Sequence, residues 1–434
     1  MSRIVIEHLA RVEGHGGITV EMEGDTVGSV RFDVFEGARL LEPLVRGKCY
    51  QEVAPILSRI CAICSVAHSL TSLKATENAF QVRVSPQTEL LRELLYLGES
   101  IESHALHLFL LAIPDYLNYP SAIALAADNP GAVTLGLGLK KLGNLIQETI
   151  GGRAIHPVNA VPGGFGKAPT VDQLIELRSA VTRGMTDSEA VIDVMASLPG
   201  ADFCHSHTVY AALRSPNLDS YYAGDEVMVV SDGDRAIVRA ADYRTLTNEK
   251  VVPHSHAKHS SFRGKPFMVG SLARLTVNPE RLTGRQVAAM KRLQLQLPAD
   301  NPMDNNNAQA VELINDVERA LAIVEELLRT GVKDERPVPI HPRAGTGTAI
   351  TEAPRGLLIH SYTYDAAGRI ASADVITPTA LNAASMEMHF RRAVEQCTER
   401  DEAVIVRRLQ MIARAYDPCI SCATHALRVK IDRS

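Results

Sequence analysis

Disulfide-framed domains are rich in cysteine, and this chain has seven cysteines in 434 residues. Four of them fall in two C-x-x-C pairs, Cys61/Cys64 and Cys419/Cys422, while Cys49, Cys204 and Cys397 stand apart. An odd total grouped in this way argues against a disulfide frame and for metal thiolates in a reducing compartment. Tryptophan is absent and aromatic residues make up 5%, which by itself decides nothing. No apolar run reaches the ~18 residues that a membrane helix needs. The nearest, Leu106 to Ile113, contains His107 and is followed by Pro114. The first residues, Met1 to His8, have neither an apolar signal core nor a twin-arginine pair. The expectation is a cytoplasmic protein with no direct membrane span. A basic excess is also missing: the net charge is −5, so the electrostatic footprint of a nucleic-acid binder is absent. There is no internal repeat, low-complexity tract or clear linker.

What is present reads as an ordinary globular chain, 46% hydrophobic and 22% charged, long enough to bury a large core. Alternation at Ile18, Val20 and Met22, then Val27, Val30, Phe32 and Val34, predicts a hairpin. Residues 49–80 read as helix interrupted near the first cysteine pair. Ser85 as N-cap and Pro86 after it start a long helix that ends near Pro114-Asp115. Gly136, Gly138 and Gly143 lie in the next helix, which predicts close packing on a neighbour. Thr170 and Gln173 form a capping box for a helix to about Leu198. Residues 205–280 read as a small β-rich excursion, followed by helices over 283–296 and 306–330. A hairpin starts at Thr351, and helices from Ser385 and Glu402 lead to the last cysteine pair. The fold expected is mainly α with α+β elements: one domain over 1–434, with a helical-bundle core, peripheral hairpins and the two cysteine pairs meeting at a buried metal site.

The two pairs carry the functional argument. Arg59-Ile60-Cys61-Ala62-Ile63-Cys64 is followed by His68, and Asp417-Pro418-Cys419-Ile420-Ser421-Cys422 is followed by His425. Two C-x-x-C pairs can give four soft thiolates to one centre. Zinc ribbons keep their pairs within a few tens of residues, whereas here almost the whole chain separates them. A shared metal would tie the two ends of a large domain together.

In order and spacing these motifs resemble the large subunit of nickel–iron hydrogenases. Arg11-Val12-Glu13-Gly14, Leu41-Glu42 through Arg46-Gly47, Glu352-Ala353-Pro354-Arg355-Gly356 and Pro378-Thr379-Ala380-Leu381-Asn382 agree with the same family. Ala62 stands where the family usually has glycine, which is tolerated if φ there is negative. The family's Ser-His-x-x-His is matched around His104 and His107. For these two residues, core histidine is the blander alternative to a metal pair. His254, His256 and His259 form H-x-H-x-x-H without an acid or thiol nearby in sequence, and they too read as ordinary histidines.

The resemblance implies nickel held by Cys61, Cys64, Cys419 and Cys422. Cys64 and Cys422 would bridge to iron carrying carbon monoxide and cyanide. It implies heterolytic cleavage of dihydrogen, with the proton passing from the Cys419 thiolate to Glu13. A solvated loop carboxylate is the alternative for Glu13. Arg355 and Asp417 would frame the open face, with Asp115 near it. Pro354 and Thr379 would surround the iron ligands, and His68 would donate to the Cys64 sulfur. Glu42, the Val375 carbonyl and His425 would bind a rear magnesium or iron ion, although Glu42 also suits a helix N-terminus. Only Cys49, Cys204 and Cys397 remain, short of the four cysteines that hold an iron–sulfur cluster, so a small subunit carrying such clusters is implied as partner. Flavin and iron–sulfur diaphorase subunits linked to NAD(P) are implied with it. The closest subclass by motif is the cytoplasmic multi-subunit one, with heterodisulfide-reductase-linked or deazaflavin-linked relatives near it. A maturation endopeptidase that cuts between His425 and Ala426, removing tail 426–434, is also implied. Two other classes compete. Complex I relatives keep the fold but lose the cysteines, and a zinc-stabilised structural protein would use the thiols without catalysis.

Overall fold

The structure is a computed structural model that describes residues 2–24, 26–37, 40–214, 221–231, 233–399 and 401–425. The chain starts as a three-stranded antiparallel sheet, β1 (Ser2–Ile6), β2 (Gly16–Glu23) and β3 (Thr26–Val34), in the order β1-β2-β3. The expected hairpin is its β2–β3 half. β1 is too short and too exposed on one face to show in the hydrophobic pattern.

Four long helices make the bundle: Pro86–Leu106, Pro130–Gly151, Val171–Ala196 and Asp304–Thr330. The first is capped as its sequence predicts, with Ser85 accepting from the Thr88 N–H and Pro86 in the first turn. Such a cap contributes about 1 kcal/mol. The glycine-rich second helix lies tight on the first. A Cβ at Gly143 would stand 2.5 Å from the Gly98 carbonyl oxygen, so no larger residue fits. Helix Pro86–Leu106 does not simply run on to Pro114. It widens into a π-helical stretch, His107–Ala112, before a short turn Ile113–Tyr116. Such widenings gather at functional sites, and Asp115 follows this one.

After the bundle's second helix comes a short hairpin, β4 (Ala160–Val161) with β5 (Gly164–Phe165). Residues 205–280 contain β6 (Val209–Arg214), β7 (Glu226–Ser231), β8 (Asp234–Arg239) and β9 (Phe267–Met268), in the order β8-β7-β6-β9. A last meander follows: β10 (Gly345–Ala353), β11 (Gly356–Tyr364) and β12 (Ile370–Ile376). The two sheets share a core of their own, built from Val209, Ala211, Val227, Val229 and Phe267 on one side and Ile350, Leu357, Ile359 and Ile376 on the other. The β-rich segment is therefore locked onto the meander that carries Arg355.

Helix Ser65–Phe80 runs along β10 and β11 and is buried almost all round. Its head is Cys64. The chain's far end returns through helices Pro378–Glu395 and Glu402–Ala415 to the short helix Ile420–Ala423. One parallel bridge, Glu13 to Cys419, joins the loop between β1 and β2 to this final turn.

Candidate metal centre

Cys61 follows a 3-10 turn (Ser58–Ile60), and Cys64 is the N-cap of helix Ser65–Phe80. The Cys64 N–H donates to Cys61 Sγ at 3.2 Å. Ala62 does not take a positive φ, so its β-carbon is accommodated. Cys419 Sγ lies 3.4 Å from Cys61 Sγ, and the sulfurs of Cys419 and Cys422 are in direct contact with Cα atoms 5.4 Å apart. That contact spans three residues and ties no distant segments together. Cys61, Cys419 and Cys422 offer sulfurs within 4.8 Å of one another, and all four cysteines of the pairs are buried.

Glu13 is fixed against the second pair by several hydrogen bonds. Its Oε2 lies 3.1 Å from Cys419 Sγ and accepts from the Ser421 N–H at 3.1 Å, while Oε1 takes the Ser421 hydroxyl. Its carbonyl accepts from the Ile420 N–H at 2.9 Å. The next residue must be glycine. Gly14 has φ +85, and a Cβ there would stand 2.6 Å from the Ser421 nitrogen. The solvated-loop alternative for Glu13 does not describe this geometry.

Arg355 reaches the other pair. Its Nη1 donates to Cys64 Sγ at 3.0 Å, and its Nε donates to the Asp417 carbonyl at 2.7 Å. Nη2 pairs with Asp417 Oδ1 at 3.0 Å. Burial alone would favour the neutral guanidine, but Asp417 and the two sulfurs outweigh it and keep Arg355 cationic. Asp417 has φ 49, a left-handed conformation that Asp tolerates. Gln309 Nε2 donates to Asp417 Oδ2 at 3.2 Å and meets His107 Nδ1 through its oxygen at 2.5 Å. Breaking a buried pair such as Arg355–Asp417 from one side costs about 3–5 kcal/mol.

A second cluster lies behind the thiols. Glu42 Oε1 accepts from the Val375 N–H at 2.8 Å, and the Val375 carbonyl accepts from His425 Nε2 at 3.1 Å. Burial raises the Glu42 carboxyl, opposed by His425 and the Val375 N–H. These residues line a small cavity together with Cys422, Thr377 and Ser421.

The family model described as nickel-dependent hydrogenase matches residues 39–149 and 209–425, and a HoxL-like model matches residues 3–36. The chain belongs to the nickel-dependent hydrogenase family. It is 38% identical to the sulfhydrogenase 1 alpha subunit of Pyrococcus furiosus, over 98% of both chains. It is 32% identical to a subunit of the F420-non-reducing hydrogenase of Methanocaldococcus jannaschii, over 91% of this chain and 99% of the relative. Its structure resembles that of an NAD+-reducing [NiFe]-hydrogenase in the H2-reduced state. That likeness has TM-score 0.86 and 28% identity and covers 98% of this chain and all of that one. This is therefore the catalytic subunit of a nickel-dependent hydrogenase, an oxidoreductase. The residues suit the metal: a buried set of soft sulfur donors fits a nickel–iron centre.

Not every residue singled out in this hydrogenase sequence falls where its motif suggests. The His68 ring meets His360 Nε2 through its Nδ1 at 3.1 Å. Burial holds the His68 pKa down at about 3, so the ring is neutral, and the donor seen on the Cys64 sulfur is Arg355. Asp115 does not touch the sulfurs. It is gripped by Arg11 and by Arg414, whose Nη2 donates to Oδ1 at 2.9 Å. Thr379 Oγ1 accepts from the Cys419 N–H at 2.9 Å, and the Pro354 carbonyl accepts from Arg274 Nη2 at 2.9 Å. His104 pairs with Glu312 and His107 with Gln309, so both are core histidines, the blander alternative. Tail 426–434 lies outside the described residues. Glu99 has no local signal in the sequence, yet its carboxylate accepts from the Val66 N–H at 2.6 Å and the Ala67 N–H at 2.9 Å, capping the Cys64 helix. Ser421 lies between the last two cysteines, where spacing marks the thiols and gives the hydroxyl no signal of its own.

Proposed function

We propose that this subunit catalyses reversible heterolytic cleavage of dihydrogen and passes the electrons through an iron–sulfur small subunit to NAD(P). The observation that carries the proposal is the 3.1 Å contact between Cys419 Sγ and Glu13 Oε2 inside a buried thiol cluster. Cys61, Cys64, Cys419 and Cys422 would hold the nickel, with Cys64 and Cys422 shared with iron bearing carbon monoxide and cyanide. Such a centre, when bound, would supply the heterolytic splitting of dihydrogen, which yields two protons and two electrons in all. The chain's own residues handle the proton. Cys419 releases it to Glu13, whose orientation is fixed by Ser421, over hydrogen-bond distance. Arg355 and Asp417 keep a fixed charge pair over the first cysteine pair, where preorganised dipoles act most strongly away from water. Asp115 acts at one remove, by positioning Arg11 and Arg414. Pro354 and Thr379 shape the wall, and His68 packs behind it. Glu42, Val375 and His425 would hold magnesium or iron.

The small subunit would sit beside the Cys64 helix. Ile155 and Val158 stand exposed there, while between them the His156 N–H donates to Ser65 Oγ at 2.9 Å. The NAD(P) reading draws support from the NAD+-reducing hydrogenase likeness. It implies diaphorase subunits and a cytoplasmic complex, and among the described residues no helix is long and apolar enough to cross a membrane. The single domain over 1–434 and endopeptidase removal of 426–434 belong to the same proposal. Burial of His425 favours a cut directly after it. The test is metal content and infrared spectra of the purified complex, with hydrogen-dependent NAD(P) reduction. About one nickel and one iron per chain with cyanide and carbon monoxide bands are expected for a centre of this donor set. Zinc alone without those bands overturns the centre. Full metal content without nucleotide reduction overturns only the acceptor.

A further inference from the structure

The H-x-H-x-x-H stretch has no acid near it in sequence, but the fold brings one. Glu387, on helix Pro378–Glu395, lies with Oε1 2.8 Å from His254 Nε2 and Oε2 3.7 Å from His259 Nδ1. The ligand atoms of these three residues all lie within 4.8 Å of one another. The two rings stand 5.6 Å apart at 76°, so they approach the carboxylate from different directions. We propose that His254, His259 and Glu387 form a binding site for a first-row divalent cation such as zinc, separate from the thiol centre and from the Glu42–His425 cluster.

Three features carry this. Bonds of about 2.0–2.1 Å in a tetrahedral zinc site place donor atoms ~3.3 Å apart, and the observed separations straddle that value. Glu387 is already oriented, because its Oε1 also accepts from the Phe32 N–H at 2.8 Å, the kind of outer bond that fixes a metal ligand. A plain hydrogen-bonded cluster accounts for His254 but not for His259. His259 Nδ1 is too far from the carboxylate for a hydrogen bond, and its Nε2 is buried without a partner among the described residues. A cation at Nδ1 gives that ring a bond on the carboxylate side, while Nε2 stays buried on the other. The residues are partly exposed, which leaves room for water as the remaining ligand.

The site has a structural consequence. The same loop bonds to the end of the described chain: the His256 carbonyl accepts from the His425 N–H at 3.1 Å, and Ala257 bridges Thr424. A cation joining His254 and His259 to Glu387 would clamp the loop on which His425 is seated.

The test uses the purified full-length subunit with its native partners, treated with a mild chelator, titrated with zinc alone and gel-filtered before metal analysis. One retained zinc per chain is expected above the level of His259→Ala and Glu387→Gln, with nickel unchanged in all three proteins. Gln keeps an acceptor for the Phe32 N–H, so the fold does not depend on the carboxylate charge. Equal zinc in wild type and both variants means binding elsewhere and overturns the site, as does no retained zinc in wild type. Cobalt(II) gives a reading that needs no variant. Ligand-field bands without a sulfur charge-transfer band are expected, and a sulfur band alone would place the ion on the thiols and sink the proposal.

Discussion

The two C-x-x-C pairs are alike in spacing and in burial, but their surroundings differ in charge. Cys64 receives a guanidinium, and its helix is capped by Glu99. Cys419 faces a carboxylate, Glu13, and has no arginine on its sulfur among the described residues. A cation beside a sulfur favours its charged form and fixes its place, although at Cys64 the hydrogen bond with Cys61 and burial outweigh Arg355 and push the thiol up. A carboxylate beside a thiol offers a proton somewhere to go. Identical spacing thus leaves one pair beside a cation, which under the proposed function anchors, and one beside a carboxylate, which exchanges the proton. The division comes from which distant segment each pair meets.

The largest effects should fall on both pairs alike. Cys61→Ser and Cys419→Ser each remove a soft donor, and nickel measured in the purified protein is expected to drop to background for both. Normal nickel in either variant would remove that cysteine from the ligand set. The pairs should separate with Glu13→Gln. The amide keeps the shape but not the exchangeable proton, so turnover and hydrogen–deuterium exchange with water are expected to fall by about 10²–10⁴ while metal content holds. Wild-type exchange in this variant would move the proton route away from Cys419 and erase the contrast.

Arg355→Lys tests the anchoring side. A planar fork that bonds both Cys64 and Asp417 becomes a point charge. A rate loss of about 10–10³ with metal retained is expected, on the scale of losing one preorganised donor. If isotope exchange fell as far as in Glu13→Gln, the two pairs would not differ in role. The smallest effect is expected from Ser421→Ala, which frees Glu13 from one hydroxyl bond but leaves the Ser421 N–H. A loss of ~1 kcal/mol, about a factor of five in exchange rate, should be readable by the same assay. No change would show that the backbone bonds alone position Glu13.

Residue order alone marked the two cysteine pairs, the Glu13 and Arg355 motifs, the Ser85 and Thr170 caps and the positions of the main helices. These depend on spacing, capping and local periodicity, which are written along the chain. The sequence could not orient His68, because only the fold sets His360 opposite its ring. It could not foresee that Asp115 is held by Arg11 and Arg414, that Glu99 caps the Cys64 helix, or that the β-rich segment shares a core with the Arg355 meander. Nor could it supply an acid for His254 and His259, since Glu387 lies more than a hundred residues away along the chain. Each of these is a contact between distant segments, fixed when helices and sheets bury their apolar faces together. The sequence by itself determined which thiol, carboxylate and guanidinium groups the chain carries and at what spacing. The tertiary structure decided which sulfur meets a carboxylate and which meets a guanidinium, because charge placement in a buried site depends on packing and not on spacing.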